Sequence, residues 1–417
     1  MFLVFLERVN MIYKDKRMCT ACEACVNICP FSAISFKRDE SGFEYPVIDQ
    51  HKCVNCGLCE KVCPTRNDIR FHKAIETKVV VLKNKLELHN SSSGGLFYGL
   101  AKSVIENGGI VSGSSYSLEN GRIQVVHKLV SNINEIKDLQ GSKYSRSHIG
   151  DSFKIIKEYL EEDKIVLFTG TPCQVSALKC YLKKDYENLF TADLICHGVP
   201  EQLLFNNYLD FLGKKYNGVV EDFCFRNKKY GWGLTGSCII RKKNNKTKTI
   251  RIPYMLSSYY HLFIRGSIYR ENCYSCLYAK GDRVSDITMG DYWGIHDEHP
   301  ELLKGNGGEI DPSKGVSCAI INTEKGIQLL EKARDSFLVF ESSIEKAQKH
   351  NHQLKYPTKK PSDFSLYYGA SNEFFEDVDK LFWNNNKKNI YKTKYWKSRV
   401  KSWIPQSFKN KIKRIVK

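Results

Sequence analysis

Two stretches of the chain repeat one pattern of thiols. CTACEACVNICP sets Cys19, Cys22, Cys25 and Cys29 ahead of Pro30, and CVNCGLCEKVCP sets Cys53, Cys56, Cys59 and Cys63 ahead of Pro64. Both read C-x2-C-x2-C-x3-C-P. Three thiolates at this spacing reach one iron–sulfur cubane, while the fourth is carried on by the following helix towards the other cluster. The spacing therefore assigns Cys19, Cys22, Cys25 and Cys63 to one 4Fe–4S cluster, and Cys53, Cys56, Cys59 and Cys29 to a second. A zinc site needs only four ligands and gives no reason for two identical four-cysteine runs. Such a pair stores and passes single electrons, so another site must supply or consume them.

The elements around these thiols need more than one core. At 417 residues, two or three domains are expected. Apolar residues make up 42% of the chain, and no apolar run approaches the roughly 20 residues of a membrane span. The opening MFLVFLERVN is too short for a signal sequence and reads as an edge strand or a start-codon overrun. A cytoplasmic protein is expected, and its sixteen cysteines then read as reduced thiols for metal or catalysis. The net charge of +18 is uneven: Trp383 to Lys417 hold twelve Lys or Arg and no acid. The remainder, with 52 basic and 46 acidic groups, carries +6 and need not bind polyanions.

Periodicity divides the chain further. Residues 14–70 form the cysteine-rich module, and 75–155 are mixed. LFYGLAKSVIE reads as a helix after SSSGG, and GIVSGSSY as a strand. Within 160–330, KIVLF, PCQVSALKCYLKK, LFTADLIC and PEQLLFNNYLDFLGKKY alternate as strand, helix, strand and helix, which favours parallel strands. SCIIRKKNNKTKTIRIP reads as a hairpin about Asn244–Asn245. Residues 331–417 read as a helical region with a basic tail.

Several stretches then combine: SSSGG (91–95), GSKYSRS (141–147), FTGTPCQ (168–174), DLICHGVP (193–200), FRNKKYGW (225–232), CYSC (273–276) and SDITMGDYWG (285–294). In this order, behind a two-cluster ferredoxin module, they resemble the family of coenzyme F420 hydrogenase/dehydrogenase beta subunits over about residues 15–330. The resemblance implies FAD beside an iron–sulfur cluster, exchanging electrons between one-electron carriers and a two-electron substrate. Relatives act on the deazaflavin F420 or reduce chlorophyll-type pigments, and some accompany surface-polysaccharide synthesis enzymes. The fold class expected is α+β or α/β: a bacterial-type ferredoxin domain, a mixed α/β flavin-binding body and a basic helical tail.

The residues themselves make a flavin plausible. Ser93, Gly94 and Gly95 at a helix start offer N–H groups suited to a phosphate, or form an ordinary helix cap. Gly141, Ser142, Lys143 and Tyr144 bring a cation, a hydroxyl and a ring beside a flexible glycine, or form a solvated turn. Gly170 and Thr171 follow a strand, where open α/β sheets place their ligands. No G-x-G-x-x-G opens a βαβ unit. Arg226, Lys228 and Lys229 either meet an anion or form a solvated loop. In SDITMGDYWG, Asp286 reads as a strand cap and Trp293 as packing.

Eight cysteines remain. Cys180, Cys224, Cys238 and Cys318 read as buried small hydrophobes. Cys173 and Cys196 follow two successive strands, and Cys273 and Cys276 form a C-x2-C pair. We expect these four to hold a third 4Fe–4S cluster next to the flavin. The alternatives are a reactive Cys173, its pKa lowered at a helix start, or packing. His197 is a candidate base for Cys196 or proton donor to the substrate.

The tail interleaves Trp396, Trp403, Ile404, Phe408, Ile412 and Ile415 with lysines. That pattern suggests peripheral contact of 383–417 with the anionic inner face of a membrane. A docking segment for a partner protein is also open. No zinc finger, RRM or helix-turn-helix supports nucleic-acid binding. The function expected is an iron–sulfur flavoprotein oxidoreductase fed by a ferredoxin-like donor. The alternative is an electron-transfer subunit whose catalytic partner is another chain.

Overall fold

In the computed structural model, residues 12–13, 15–367 and 369–403 are described. MFLVFLERVN and the tail beyond Trp403 lie outside them. Each four-cysteine run wraps a short helix, Ala24–Ile28 and Leu58–Lys61. Both helices start from a left-handed residue, Glu23 at φ 64° and Gly57 at φ 70°. Between the runs, β1 (Ile34–Arg38) and β2 (Glu44–Ile48) form an antiparallel ladder.

The body follows as β3 (Glu76–Leu82), β4 (Ile110–Glu119), β5 (Arg122–Val130), β6 (Val166–Gly170) and β7 (Leu189–Leu194). Next come β8 (Gly218–Cys224), β9 (Thr235–Lys242) and β10 (Thr247–Pro253), a separate three-stranded antiparallel sheet. β11 (Ile287–Asp291), β12 (Ser317–Ile321) and β13 (Phe337–Ser342) complete the main sheet, whose order is β13-β3-β12-β11-β7-β6-β4-β5. Strands from 75–155, 160–330 and 331–417 thus share one sheet. β3 pairs with β12 and β13, partners more than 230 residues away. Residues 331–417, read as helical, supply the edge strand β13. A pairing that remote leaves no local pattern to read.

The local readings follow ordinary propensity. The helix Leu96–Glu106 buries eight of its eleven residues. β6 is buried at every position, as a continuous apolar run in a parallel sheet requires. The helix Pro172–Leu182 carries Pro at its first turn, and Gln174 Oε1 accepts from the Thr171 amide at 3.0 Å. β9 and β10 turn at Asn244–Asn245, where Asn245 takes φ 59°.

β4, β6, β7 and β11 run parallel, and β12 lies antiparallel between β11 and β3. The carboxyl ends of β3, β6, β7 and β11 therefore lie along one edge of the sheet. That edge carries SSSGG, FTGTPCQ, DLICHGVP and the end of SDITMGDYWG. It is the edge at which open α/β sheets form their ligand crevice.

Candidate iron–sulfur relay and cofactor edge

Cys19, Cys22, Cys25 and Cys63 line one pocket, walled also by Tyr13, Phe36, Pro46 and Pro64. Burial pushes the Cys25 thiol well up, and the thiols of Cys22, Cys19, Cys63 and Cys59 push it further. Burial likewise takes Cys22 up to about 12, with Cys63 and Cys19 adding to it. Cys63, from the second run, therefore stands with the first three cysteines of the first run. Iron bound there would remove the protons of thiols so raised outright. In the second set, burial raises Cys59, with Cys53 among its neighbours. The Ala33 amide donates to Cys29 Sγ at 3.4 Å.

The four cysteines of the body also assemble. β6 and β7 are adjacent and parallel, so Cys173 and Cys196 leave the same sheet edge side by side. Burial raises Cys173 well above the usual thiol; Thr171 opposes this, and Cys196, Cys276 and Cys22 add to it. Burial raises Cys196 to about 12, with Cys276 next in effect, and Cys273 feels both Cys196 and Cys276 after burial. The Cys273 amide donates to the Arg270 carbonyl at 3.0 Å, and the Arg270 amide to the Val199 carbonyl at 3.1 Å, tying the two cysteine loops together. A thiol raised in this way is the opposite of an activated nucleophile. Among the described residues, no three His, Cys, Asp or Glu side chains gather tightly enough for one metal ion. A cubane binds each thiolate through a different iron.

Cys22 links the two sets. Its thiol acts on Cys173, and Tyr278 feels Cys173, Cys22 and Cys276. Ala24 and Val62 of the cysteine-rich module share an apolar cluster with Val175, Leu178 and Tyr278 of the body, with Cys22, Cys173 and Cys276 packed on it.

An ionic joint lies beside this apolar one, and sequence reasoning missed it. Glu23, between Cys22 and Cys25, accepts from the amides of Ile149 at 3.0 Å and Gly150 at 2.9 Å. Its carboxylate also meets Arg146 at 3.1 Å and His148 at 3.2 Å. Arg146, 3% exposed, further binds Glu44 and, at 3.2 Å, Glu201. Glu201 in turn pairs with Arg270. The available signals were small: a carboxylate inside a C-x2-C pair, and an arginine three residues before Cys273.

The residues expected to hold a flavin fall at one end of the sheet, several of them with protein partners. Ser142 donates from its amide to Ser92 Oγ at 2.8 Å, so the GSKY and SSSGG loops touch. Ser93 Oγ donates to the Val316 carbonyl at 2.8 Å. Gly94 is packed so closely that a Cβ would overlap the Ser317 amide and the Val80 carbonyl. Gly95 begins the Leu96 helix at φ 83°. Gly141, at φ 85°, faces open space. Lys143 Nζ donates to the carbonyls of Leu139 at 3.1 Å and Gln140 at 2.8 Å, and burial lowers its pKa to about 7. The Tyr144 ring stacks on Phe263 at 4.4 Å. Gly170 ends β6, and Thr171 Oγ1 lies 3.1 Å from Cys173 Sγ.

Arg226 forks onto Asp291 at 2.5 and 2.9 Å, and Trp232 donates to the same carboxylate at 2.7 Å. Trp232 and Trp293 stack at 4.9 Å. Lys228 donates to the carbonyls of Leu88 and Ser93. Three of the quoted stretches therefore converge at the carboxyl edge. Buried hydroxyls of Ser112 and Ser145 and the Gln140 Oε1 have no hydrogen-bond partner among the described residues, which fits a polar group bound nearby. Burial and the neighbouring His352 lower His197 to about 4, and Gln353 Nε2 lies 2.8 Å from its Nδ1. At neutral pH His197 is therefore an uncharged imidazole.

This thiol architecture is that of an iron–sulfur electron-transfer protein. Residues 18–67 match the 4Fe–4S dicluster domain, and residues 163–346 match the C terminus of the beta subunit of coenzyme F420 hydrogenase/dehydrogenase. The chain thus joins a dicluster domain to a region similar to the C terminus of these beta subunits. It is 23% identical to a subunit of the F420H2 dehydrogenase of Methanosarcina mazei over 39% of this chain and 48% of that one. An uncharacterized ferredoxin of Methanocaldococcus jannaschii is 35% identical over 19% of this chain and 92% of the ferredoxin. A chain in the F420-reducing nickel–iron hydrogenase complex from Methanosarcina barkeri has a TM-score of 0.41 at 16% identity, covering 68% of this chain and 91% of that one. The match to the dehydrogenase spans about half the length of that relative.

Proposed function

We propose that this protein relays single electrons through two 4Fe–4S clusters, held by Cys19, Cys22, Cys25 and Cys63 and by Cys53, Cys56, Cys59 and Cys29. Cys173, Cys196, Cys273 and Cys276 hold a third cluster. The onward acceptor is FAD at the carboxyl edge of the main sheet. When bound, FAD pairs single electrons for a two-electron substrate, either F420-like or a small molecule, in a setting that includes surface-polysaccharide metabolism. The observation that supports this reading is the continuity of the thiols: Cys63 lines the pocket of the first set, and Cys22 of that set packs on one apolar cluster with Cys173 and Cys276 of the third. The chain's own residues exclude water from that path, since Tyr278, Val175 and Ala24 close around it. Gly141, Ser142 and Thr171 offer the polar face for the flavin.

A second reading makes the chain the electron-transfer subunit of a larger redox complex, with catalysis on another chain. The matched relatives include one subunit of a dehydrogenase, which favours it. Anaerobic purification with an absorbance spectrum, iron count and released-flavin analysis tests the cofactors. The expected result is about twelve irons per chain and stoichiometric FAD; absence of flavin from the folded, iron-loaded chain overturns the FAD reading. Turnover of a substrate by the isolated chain favours the first reading, and exchange only with dyes or a ferredoxin favours the second.

No helix among the described residues is long and apolar enough to cross a membrane. The basic helix Lys388–Trp403 leaves Ile390 and Trp396 exposed among its lysines. Peripheral contact of 383–417 with anionic lipid follows from that composition. The full-length chain is expected to bind anionic vesicles more tightly than a 1–382 truncation, with the difference lost at high salt. Equal binding overturns the contact.

A further inference from the structure

Arg270 is fully buried, and among the described residues its one carboxylate partner is Glu201, on one nitrogen. Its Nε and Nη2 donors have no hydrogen-bond partner among those residues, sulfur included. Its guanidinium carbon stands 4.6 Å from the centroid of the Tyr45 ring of the cysteine-rich module. A ring face attracts the charge but leaves in-plane N–H groups without an acceptor. A buried cation with two idle donors is costly unless something accepts them.

The surroundings say what that acceptor is. Cys19 of the first set packs on the Tyr13, Phe43 and Tyr45 cluster, and the Arg270 guanidinium stands over the Phe43 and Tyr45 rings of that cluster. Its backbone bridges the Cys196 and Cys273 loops through Val199. Residues Lys16–Met18, just before Cys19, pack against Glu271–Ser275, just after Arg270. The side chain therefore stands where the cysteine-rich module meets the third thiol set.

We propose that Arg270 sets the reduction potential of the body-facing cluster, its charge and two idle N–H donors stabilising the sulfur cage held by Cys19, Cys22, Cys25 and Cys63. The inference rests on the ligand reading above and deepens it. Each one-electron reduction adds negative charge to the cage, with no bond made or broken. A fixed cation and N–H···S hydrogen bonds favour that state, so they raise the potential. Glu201 and the Tyr45 ring hold the guanidinium in place. Arg270 is a tuning residue and not a ligand.

The test is an EPR-monitored redox titration of the full chain, purified anaerobically, with Arg270→Gln and Arg270→Lys beside the wild type. In R270Q the midpoint of one cluster is expected to move to lower potential. That cluster is the one whose signal Cys19→Ser abolishes, while the cluster lost in Cys56→Ser keeps its midpoint. R270K, which keeps the charge but not the fork, is expected to fall between the wild type and R270Q, and it serves alone if R270Q fails to load iron. Unchanged midpoints in an iron-replete variant, or equal shifts in all clusters, overturn the proposal. Failure of the ligand reading would show separately, as protein that keeps its full iron count after Cys19→Ser.

Discussion

Serine at Cys173 is expected to take about four irons from a chain that otherwise holds about twelve, leaving about eight. The remaining clusters should keep their signals, because Cys173 belongs to the body and the ferredoxin pocket is lined by Cys19, Cys22, Cys25 and Cys63. Cys173 is the right position to test because it is the body thiol on which Cys22 acts. Its loss removes a corner of the third set and interrupts the path between the modules. Reduction of the N-terminal clusters by dithionite should persist, while electron transfer onward to flavin falls by orders of magnitude. The fold tolerates the change: the Thr171 hydroxyl that lies 3.1 Å from Cys173 Sγ can hydrogen-bond the serine hydroxyl instead. An iron count of about eight in the wild type, unmoved by the substitution, would show that the body thiols hold no cluster.

The second large effect is expected at Glu201→Gln. Glu201 is 1% exposed and bridges Arg146 and Arg270, both buried. Burial pushes the Glu201 carboxyl up, but the two guanidinium groups outweigh it and hold the carboxyl below its usual range. Removing this charge leaves Arg146 facing Glu23 and Glu44 alone, and Arg270 with no carboxylate partner among the described residues. Breaking a buried pair costs about 3–5 kcal/mol, a large part of the stability of an ordinary domain. The loss should appear as a lower urea midpoint and as faster hydrogen exchange at the Ile149 and Gly150 amides, which Glu23 holds.

The acid dependence has a definite sign. A carboxyl depressed in the folded state contributes stability that is fully present above its unfolded pKa of about 4.3 and is lost as pH falls through its lower folded value. The wild type should therefore lose stability in that acid window more steeply than Glu201→Gln. Parallel acid profiles for the two proteins would show that the carboxylate contributes nothing as an ion.

The distance between reading and structure can be followed residue by residue. KIVLF and LFTADLIC read as adjacent parallel strands because each is a short apolar run followed by a helix, and β6 and β7 pair that way. Asn244–Asn245 read as a turn because asparagine tolerates positive φ. Gly94 read either as a helix start suited to a phosphate or as an ordinary cap, and it is packed against the Val80 carbonyl of β3 and the Ser317 amide from far along the chain. Lys143 read as a cation beside a flexible glycine or as part of a solvated turn, and it donates to the carbonyls of Leu139 and Gln140. A glycine or lysine announces local freedom, and the use made of that freedom depends on what packs beside it.

The redox class was legible from residue order, because two C-x2-C-x2-C-x3-C-P runs carry their chemistry in spacings of a few residues. So was the strand–helix alternation of the body, through apolar periodicity. How the cysteine-rich module meets the body emerged from the packed chain alone. Glu23 reaches Arg146 across 123 residues, and Arg270 stands over Tyr45 from far along the chain. Contacts between segments so far apart arise from the packing of whole faces, and no local pattern of residues encodes them.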